Sequence, residues 1–227
     1  MIYRAVRLDE REMNGGAFFS DVEWASLGGI IAAFKDRLQW YYLDAATVLR
    51  RNTRQFDHVI MGISCLLIDT LSQFHFGRPS GTRTDFIGFL REYIPRLDVL
   101  LPASISHQND HGREPAIVTR YSEALYRGVR CGILHDANVL PYVALSTDAN
   151  LGFEAVGLSE YDGTVKAVGP CPTIRFNSWV LCDWVRAALD SYCARLQDPA
   201  VAFDLLRDNF KDKFKWSFGV DIAVAVL

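Results

Sequence analysis

Three features that mark membrane-bound, secreted or metal-binding proteins are missing from this sequence. No apolar run approaches the roughly 20 residues that span a bilayer, so we expect no contact with a membrane. The first residues, MIYRAVRLDERE, lack the apolar segment of a secretory signal peptide. The cysteines are odd in number and form no CxxC pair, which argues against a disulfide framework and a zinc site. We therefore expect a cytoplasmic protein with reduced thiols and with no metal or other cofactor.

An excess of basic residues is also missing. The 24 lysines and arginines are outnumbered by 27 acidic residues, which gives a net charge of −3. Proteins that bind nucleic acid usually have a positive excess, so any contact with RNA here would have to be a local patch. The sequence has no convincing internal repeat or low-complexity segment. Its 227 residues, half of them hydrophobic, fit a single domain over residues 1–227.

Apolar residues at three-and-four spacing predict a mainly α fold, an up-and-down bundle of four core helices with accessory helices. Residues 1–19 are expected to form a polar arm, and the capping box of Ser20 and Glu23 predicts the start of the first helix. The apolar stripe of that helix is expected to comprise Trp24, Leu27, Ile31, Phe34, Leu38, Tyr41, Ala45 and Val48. Further helices are predicted over 56–75, 84–97 and 177–196, and a last one after Asp198 and Pro199.

Two stretches between the helices have a different character. Residues 98–114 are interpreted as a surface loop, although His107, Asp110 and His111 leave a metal cluster there as an alternative. Pro115 suits the first turn of the helix that follows. Short β-prone runs with turn residues between them predict a small hairpin or meander inserted at 140–175.

The central element is a helix predicted from Tyr121 to Asn138, with Pro141 as a stop signal. One narrow sector of this helix contains small residues followed by a histidine, namely Ala124, Gly128, Cys131 and His135. A ridge of small residues lets a neighbouring helix approach closely. We therefore expect a second helix to pack along this ridge.

Asp69 lies within the almost wholly apolar part of the helix predicted over 56–75. A buried carboxylate is costly without a partner, so we expect an arginine, a histidine or backbone donors beside it. Two interpretations remain open. Asp69 orients Arg130 or His135, or it forms a structural hydrogen bond elsewhere.

The segment Arg130-Cys-Gly-Ile-Leu-His135 is an arginine, four intervening residues and a histidine, late in a helix. This pattern resembles the signature of the HEPN superfamily, which includes toxin, abortive-infection and CRISPR-associated ribonucleases. The segment LYRGVRCGILHDA is especially similar to the sequences of a branch found on plasmids and in anti-phage defence contexts. The resemblance implies a HEPN-type bundle with a composite active site at a dimer interface. Cys131 departs from the commonest pattern, in which Asn, Asp or His follows the arginine.

The chemistry implied by this resemblance is RNA cleavage without a metal, in which the 2′-hydroxyl attacks the adjacent phosphate. His135 would transfer a proton and Arg130 would bind the phosphate, with Arg127, Asp69 and Cys131 in support. In an α-helix, however, side chains five residues apart leave the axis about 140° from one another. One helix alone would make a poor site, so we expect two copies of the chain to form it around a two-fold axis along the ridge.

The expected partners are an RNA substrate, a second copy of the chain, and a neutralising antitoxin or a defence partner. Two rival interpretations remain. The first is a non-catalytic HEPN-like module that binds a nucleotide or a protein, which the acidic balance and Cys131 favour. The second is a structural helical dimer in which the Arg-His spacing is coincidental.

Overall fold

The structure is a computed structural model that describes residues 26–52, 56–107, 116–145, 153–156, 158–161, 164–167 and 173–218. Its described part is mainly helical, with small sheets inserted between the helices. No described helix combines the length and hydropathy needed to cross a membrane. The predicted arm at 1–19 and the residues Ser20, Glu23, Asp110, His111, Pro115 and Cys171 lie outside the described residues.

The helices follow the predicted order along the chain. They are α1 (Leu27–Leu38), α2 (Ala45–Asn52), α3 (Asp57–His75), α4 (Arg83–Tyr93), α5 (Tyr121–Ala124), α6 (Ser178–Gln197) and α7 (Asp204–Phe218). Two π-helical segments, Gln39–Asp44 and Leu125–Asp136, directly follow α1 and α5, and short 3₁₀ turns occur at Pro95–Leu97 and Val201–Phe203. Thr82 and Asp85 form a capping box at the start of α4.

Helix α3 is the centre of the core and packs against α4, α6, α7 and the segment Leu125–Asp136. Its side chains are buried on most sides, including those of Met61, Cys65, Leu67 and Ile68. This confirms the prediction from its almost continuous apolar sequence. Helix α7 packs against α3 and buries Leu206, Phe210 and Phe214.

The first helix differs from its prediction at both ends. It begins at Leu27, where Ser26 caps it by accepting a hydrogen bond from Gly29, rather than at Ser20. Trp24 lies outside the described residues, and the predicted stripe is buried from Leu27 to Leu38. The next buried residues are Leu43 and Ala46, whereas Tyr41 and Val48 are exposed. The π segment explains the change, because its i→i+5 hydrogen bonds insert one extra residue into the turn and rotate the face.

The region predicted as a loop at 98–114 instead contains strand β1 (Leu100–His107), which pairs antiparallel with β2 (Ala116–Arg120). Strand β2 therefore precedes the central helix, and the inference that Pro115 opens that helix was wrong. Ile105 and Val118 are paired in register and both are buried. Their burial explains why this stretch is a hairpin that contacts the core.

The predicted insertion at 140–175 is more complex than a meander. Strands β3 (Val143–Leu145) and β4 (Phe153–Val156) flank β7 (Thr173–Phe176), with β3 parallel and β4 antiparallel to β7. Strands β5 (Leu158–Tyr161) and β6 (Thr164–Ala167) form a separate antiparallel pair. The three-stranded sheet brings Tyr142 and Val143 against the central helix.

Candidate functional site

The central helix starts with one α turn and continues as the π segment Leu125–Asp136. It ends at Ala137, whose left-handed backbone (φ 52°) lets its N–H donate to the carbonyl of Gly132, five residues earlier. Long π-helices are rare, and π turns are often found at functional sites. In a π-helix, side chains five residues apart lie on nearly the same face, as side chains four residues apart do in an α-helix. The expected separation of about 140° between Arg130 and His135 was therefore wrong.

Arg130 extends from this helix to Asp69 on α3. Its Nε donates a hydrogen bond to the carboxylate oxygen Oδ2 at 2.8 Å, and Nη2 lies 2.7 Å from the same oxygen. The side chains are 19% and 8% exposed, respectively, so most of the ion pair is shielded from solvent. The carboxylate of Asp69 thus meets an arginine, as expected of a buried acid, and that arginine is one of the predicted site residues.

The second carboxylate oxygen of Asp69, Oδ1, is buried and has no hydrogen-bond partner among the described residues. Burial raises the pKa of Asp69, although the hydrogen bond and charge of Arg130 oppose this effect. Gly81 lies beside this oxygen, since a Cβ at that position would be 3.6 Å from Oδ1. The ion pair therefore holds Arg130 through one oxygen and leaves the other without a donor.

Three further side chains surround the guanidinium of Arg130. Its central carbon lies 5.4 Å from the ring centroid of Tyr126, one helical turn earlier. Cys131 is half-buried beside it, and Cys65 on α3 is fully buried, where burial and the charge of Asp69 raise its pKa. Sequence analysis missed Tyr126, although a spacing of four residues from Arg130 in a helix was a usable signal.

The small-residue ridge does not face an open surface. A Cβ on Gly128 would lie 2.4 Å from Cγ2 of Val143 and 3.1 Å from the ring of Tyr142. The backbone N–H of Leu140 also donates to the carbonyl of Gly128 at 2.9 Å. The chain's own segment after the central helix covers this sector, so the expectation that a second helix packs along the ridge was wrong.

The remaining predicted residues lie apart from the ion pair. Arg127 lies near Glu123 and Tyr142, and its positive charge acts to lower the pKa of both groups. Burial nevertheless raises the pKa of Tyr142 to about 12. His135 is exposed near the end of the π segment, two residues before the left-handed Ala137. The structure thus joins Asp69 with Arg130 and places Cys131 beside them, but gives no direct contact from either residue of the pair to Arg127 or His135 within the described part.

A second group of titratable side chains, which sequence analysis did not predict, lies at the end of α3. His75 Nε2 is 3.2 Å from Glu92 Oε2 on α4, and Arg195 on α6 pairs with the other oxygen of Glu92. The guanidinium of Arg195 lies 4.7 Å from the ring centroid of Tyr93. No periodic pattern in the sequence predicts this group, because its members come from three different helices.

The first site offers a cation fixed by a carboxylate, with an exposed imidazole five residues later on the same helix. No group of three or more potential metal ligands lies together among the described residues. Comparison with known proteins adds no assignment, since no family model, curated protein or solved structure matches the chain.

Proposed function

We propose that this protein is a metal-independent endoribonuclease of HEPN type that acts as a homodimer. Arg130 binds the scissile phosphate, His135 transfers a proton, and Asp69 fixes the guanidinium. The observation that supports this best is the Asp69–Arg130 ion pair, formed on a π-helix in which His135 follows Arg130 at the i→i+5 spacing.

The ion pair matters for catalysis because it fixes an otherwise flexible side chain. The hydrogen bond to Asp69 uses the Nε–H of the guanidinium, and the fork of its remaining N–H donors suits phosphate oxygens. A cation held in place before the substrate binds loses less entropy when it stabilises the charge that develops on the phosphate. Arg127 adds a second positive charge on the same helix.

His135 suits proton transfer because it is exposed and lies near the C-terminus of the helix. In this mechanism the 2′-hydroxyl of the RNA attacks the phosphate and releases its proton to solvent water. The P–O5′ bond breaks, the imidazolium donates its proton to the leaving 5′-oxygen, and a 2′,3′-cyclic phosphate remains.

The second copy of the chain must use a surface other than the small-residue ridge. Val59 and Leu66 on α3 and Leu134 on the central helix are exposed apolar residues. The two helices are in close contact between these residues, since a Cβ on Gly62 would lie 3.3 Å from the side chain of Ile133. We propose this face, next to His135, as the dimer contact, because it would bring the two histidines towards one groove.

The biological role we propose is that of a toxin or an anti-phage effector, restrained by an antitoxin or defence partner. The support for it is the resemblance of Arg130–His135 and its flanking residues to that branch of the superfamily. Arrest of bacterial growth on expression of the wild type, and not of His135→Ala, is the expected result.

The direct test is digestion of total RNA in the presence of EDTA. Wild-type protein should cleave, and His135→Ala should lose most of the activity. Asp212→Ala is the control, because Asp212 is exposed on α7 and belongs neither to the proposed site nor to the proposed dimer face. Continued cleavage by His135→Ala, or equal loss in Asp212→Ala, would remove His135 from the mechanism.

A non-catalytic module that binds a nucleotide or a protein is the second candidate. The observation that favours it is the compensation of Arg130 by a buried carboxylate, together with a net charge of −3. If wild-type protein leaves RNA intact with and without divalent cations, yet binds a nucleotide or a cognate protein, this candidate replaces the nuclease.

A further inference from the structure

A cavity of about 240 Å³ lies where the end of α3, the end of α4 and the start of α7 meet. At about 30 Å³ for each water molecule, it has space for about eight waters, or for a ligand of roughly ten non-hydrogen atoms. Phe76, Phe203 and Leu206 provide its apolar walls, and His75, Glu92 and Asn209 provide polar groups. The cavity therefore resembles small-molecule sites, which combine apolar walls with a few polar groups.

The polar side of the cavity has no net charge to attract an ion. The carboxylate of Glu92 is paired with the guanidinium of Arg195, which also lies over the rings of Tyr93 and Phe203 at 4.7 and 5.9 Å. Burial lowers the pKa of His75, although Glu92 opposes this effect, so the imidazole is neutral at neutral pH. An uncharged ligand is therefore favoured over a phosphate or an ammonium group.

The carboxylate of Glu92 is the main hydrogen-bonding group of the cavity. A carboxylate has about four acceptor positions, and Glu92 has one contact on each oxygen, with His75 Nε2 at 3.2 Å and with Arg195. Asn209 donates one of its two amide N–H groups to the carbonyl of His75 at 2.8 Å. The remaining acceptor positions of Glu92 suit a ligand that brings N–H donors.

Flat apolar walls with acceptors at one side suit a planar ring with donors along one edge. Phe76 and Phe203 line the cavity from two different elements, the end of α3 and the turn before α7. Stacking on aromatic side chains is the usual way in which proteins bind heterocycles of this size. The Glu92 side chain is 40% exposed, so a substituent on the ring could extend into solvent at this point.

We propose that this cavity binds a neutral planar heterocycle of nucleobase size, with a guanine-like edge of adjacent N–H donors facing Glu92. The side chains of Phe76 and Phe203 contact the ring faces. This site is separate from Arg130 and His135, and the proposal does not depend on RNA cleavage.

Isothermal titration calorimetry of the full chain with guanosine tests the proposal, with inosine as the analogue that lacks the 2-amino group. Saturable binding of guanosine is expected, and binding of inosine weaker by about tenfold or more, because one acceptor of Glu92 would be left without its donor. Absence of saturable guanosine binding up to its solubility limit, or equal affinity for the two nucleosides, would overturn the proposal.

Two adjacent substitutions locate the site without touching its polar groups. Ala202 lines the cavity, so Ala202→Phe should fill it and abolish guanosine binding. Val201 is 81% exposed and does not line the cavity, so Val201→Phe should bind like wild type. Thermal unfolding establishes that both variants fold. Guanosine binding that survives in folded Ala202→Phe, or is lost equally in both variants, would place the ligand elsewhere.

Discussion

Gly128 provides the sharpest test of how the central helix is packed. An alanine Cβ there would lie 2.4 Å from Cγ2 of Val143, where ordinary contact begins at 3.4 Å, so the strand must move by about 1 Å. The backbone φ of Gly128 is not positive, so an alanine can adopt it, and the clash alone decides the outcome. Val143 is a stiff β-branched residue that cannot rotate away easily.

The expected magnitude combines two opposing effects. Overpacking costs about 1–3 kcal/mol, and the lower entropy of the unfolded alanine chain returns about 0.4–1 kcal/mol. The net loss of about 1–2 kcal/mol corresponds to a Tm lower by roughly 2–8 °C for a chain of this size. Gly28→Ala is the matched control, because its Cβ would meet nothing closer than 4.0 Å. That variant should raise the Tm by about 1–4 °C.

Differential scanning calorimetry of both variants measures the effect, and a double variant identifies its source. Val143→Ala removes the clashing methyl group, so the loss in Gly128→Ala/Val143→Ala should be smaller than the sum of the two single losses. Equal behaviour of Gly128→Ala and Gly28→Ala, or a strictly additive double variant, would refute the packing of Val143 on the helix. If Gly128→Ala changed only the concentration dependence of unfolding, the ridge would instead be part of a dimer interface.

Two further predictions concern titratable groups. Asp69→Ala should lower the free energy of unfolding in urea by about 2–4 kcal/mol, because it leaves the largely buried Arg130 unpaired. The loss should be far smaller in an Arg130→Met background, and equal losses in the two backgrounds would show that Asp69 and Arg130 are not coupled. Burial lowers the pKa of His75 in the folded chain, whereas the ordinary pKa of a histidine is about 6.5. As the pH falls below that value, the unfolded chain binds more protons than the folded chain, so the free energy of unfolding should decrease. The drop in Tm between pH 7.5 and pH 5.5 should be smaller in His75→Gln; an unchanged drop would contradict the shift.

The sequence predicted the α-helical parts well because their signals are local. An almost continuous apolar run identified α3, and apolar residues at helical spacing identified α6. Asp69 could be expected to meet a cation because a buried carboxylate requires a partner. The choice of Arg130 as that partner depends on the packing of two helices, which no local pattern determines.

The predictions failed where the hydrogen-bond pattern of the helix changed. The stripe from Leu27 to Leu38 continues to Leu43, five residues on, and a rule of three-and-four spacing selects Tyr41 instead. The hairpin of β1 and β2 was missed for a different reason. Its polar residues and histidines suggested a loop, whereas pairing between distant residues and burial of Ile105 against the core determine the strand.

The wide turn of the π segment changes which residue spacings place two side chains on the same face of the helix. Two residues with four residues between them lie on nearly the same face of a π-helix, but about 140° apart around an α-helix. Pattern searches that assume a single helical pitch would therefore discard pairs such as Arg130 and His135 as geometrically unrelated. In chains of this kind, the pitch has to be established before the spacing is given a chemical interpretation.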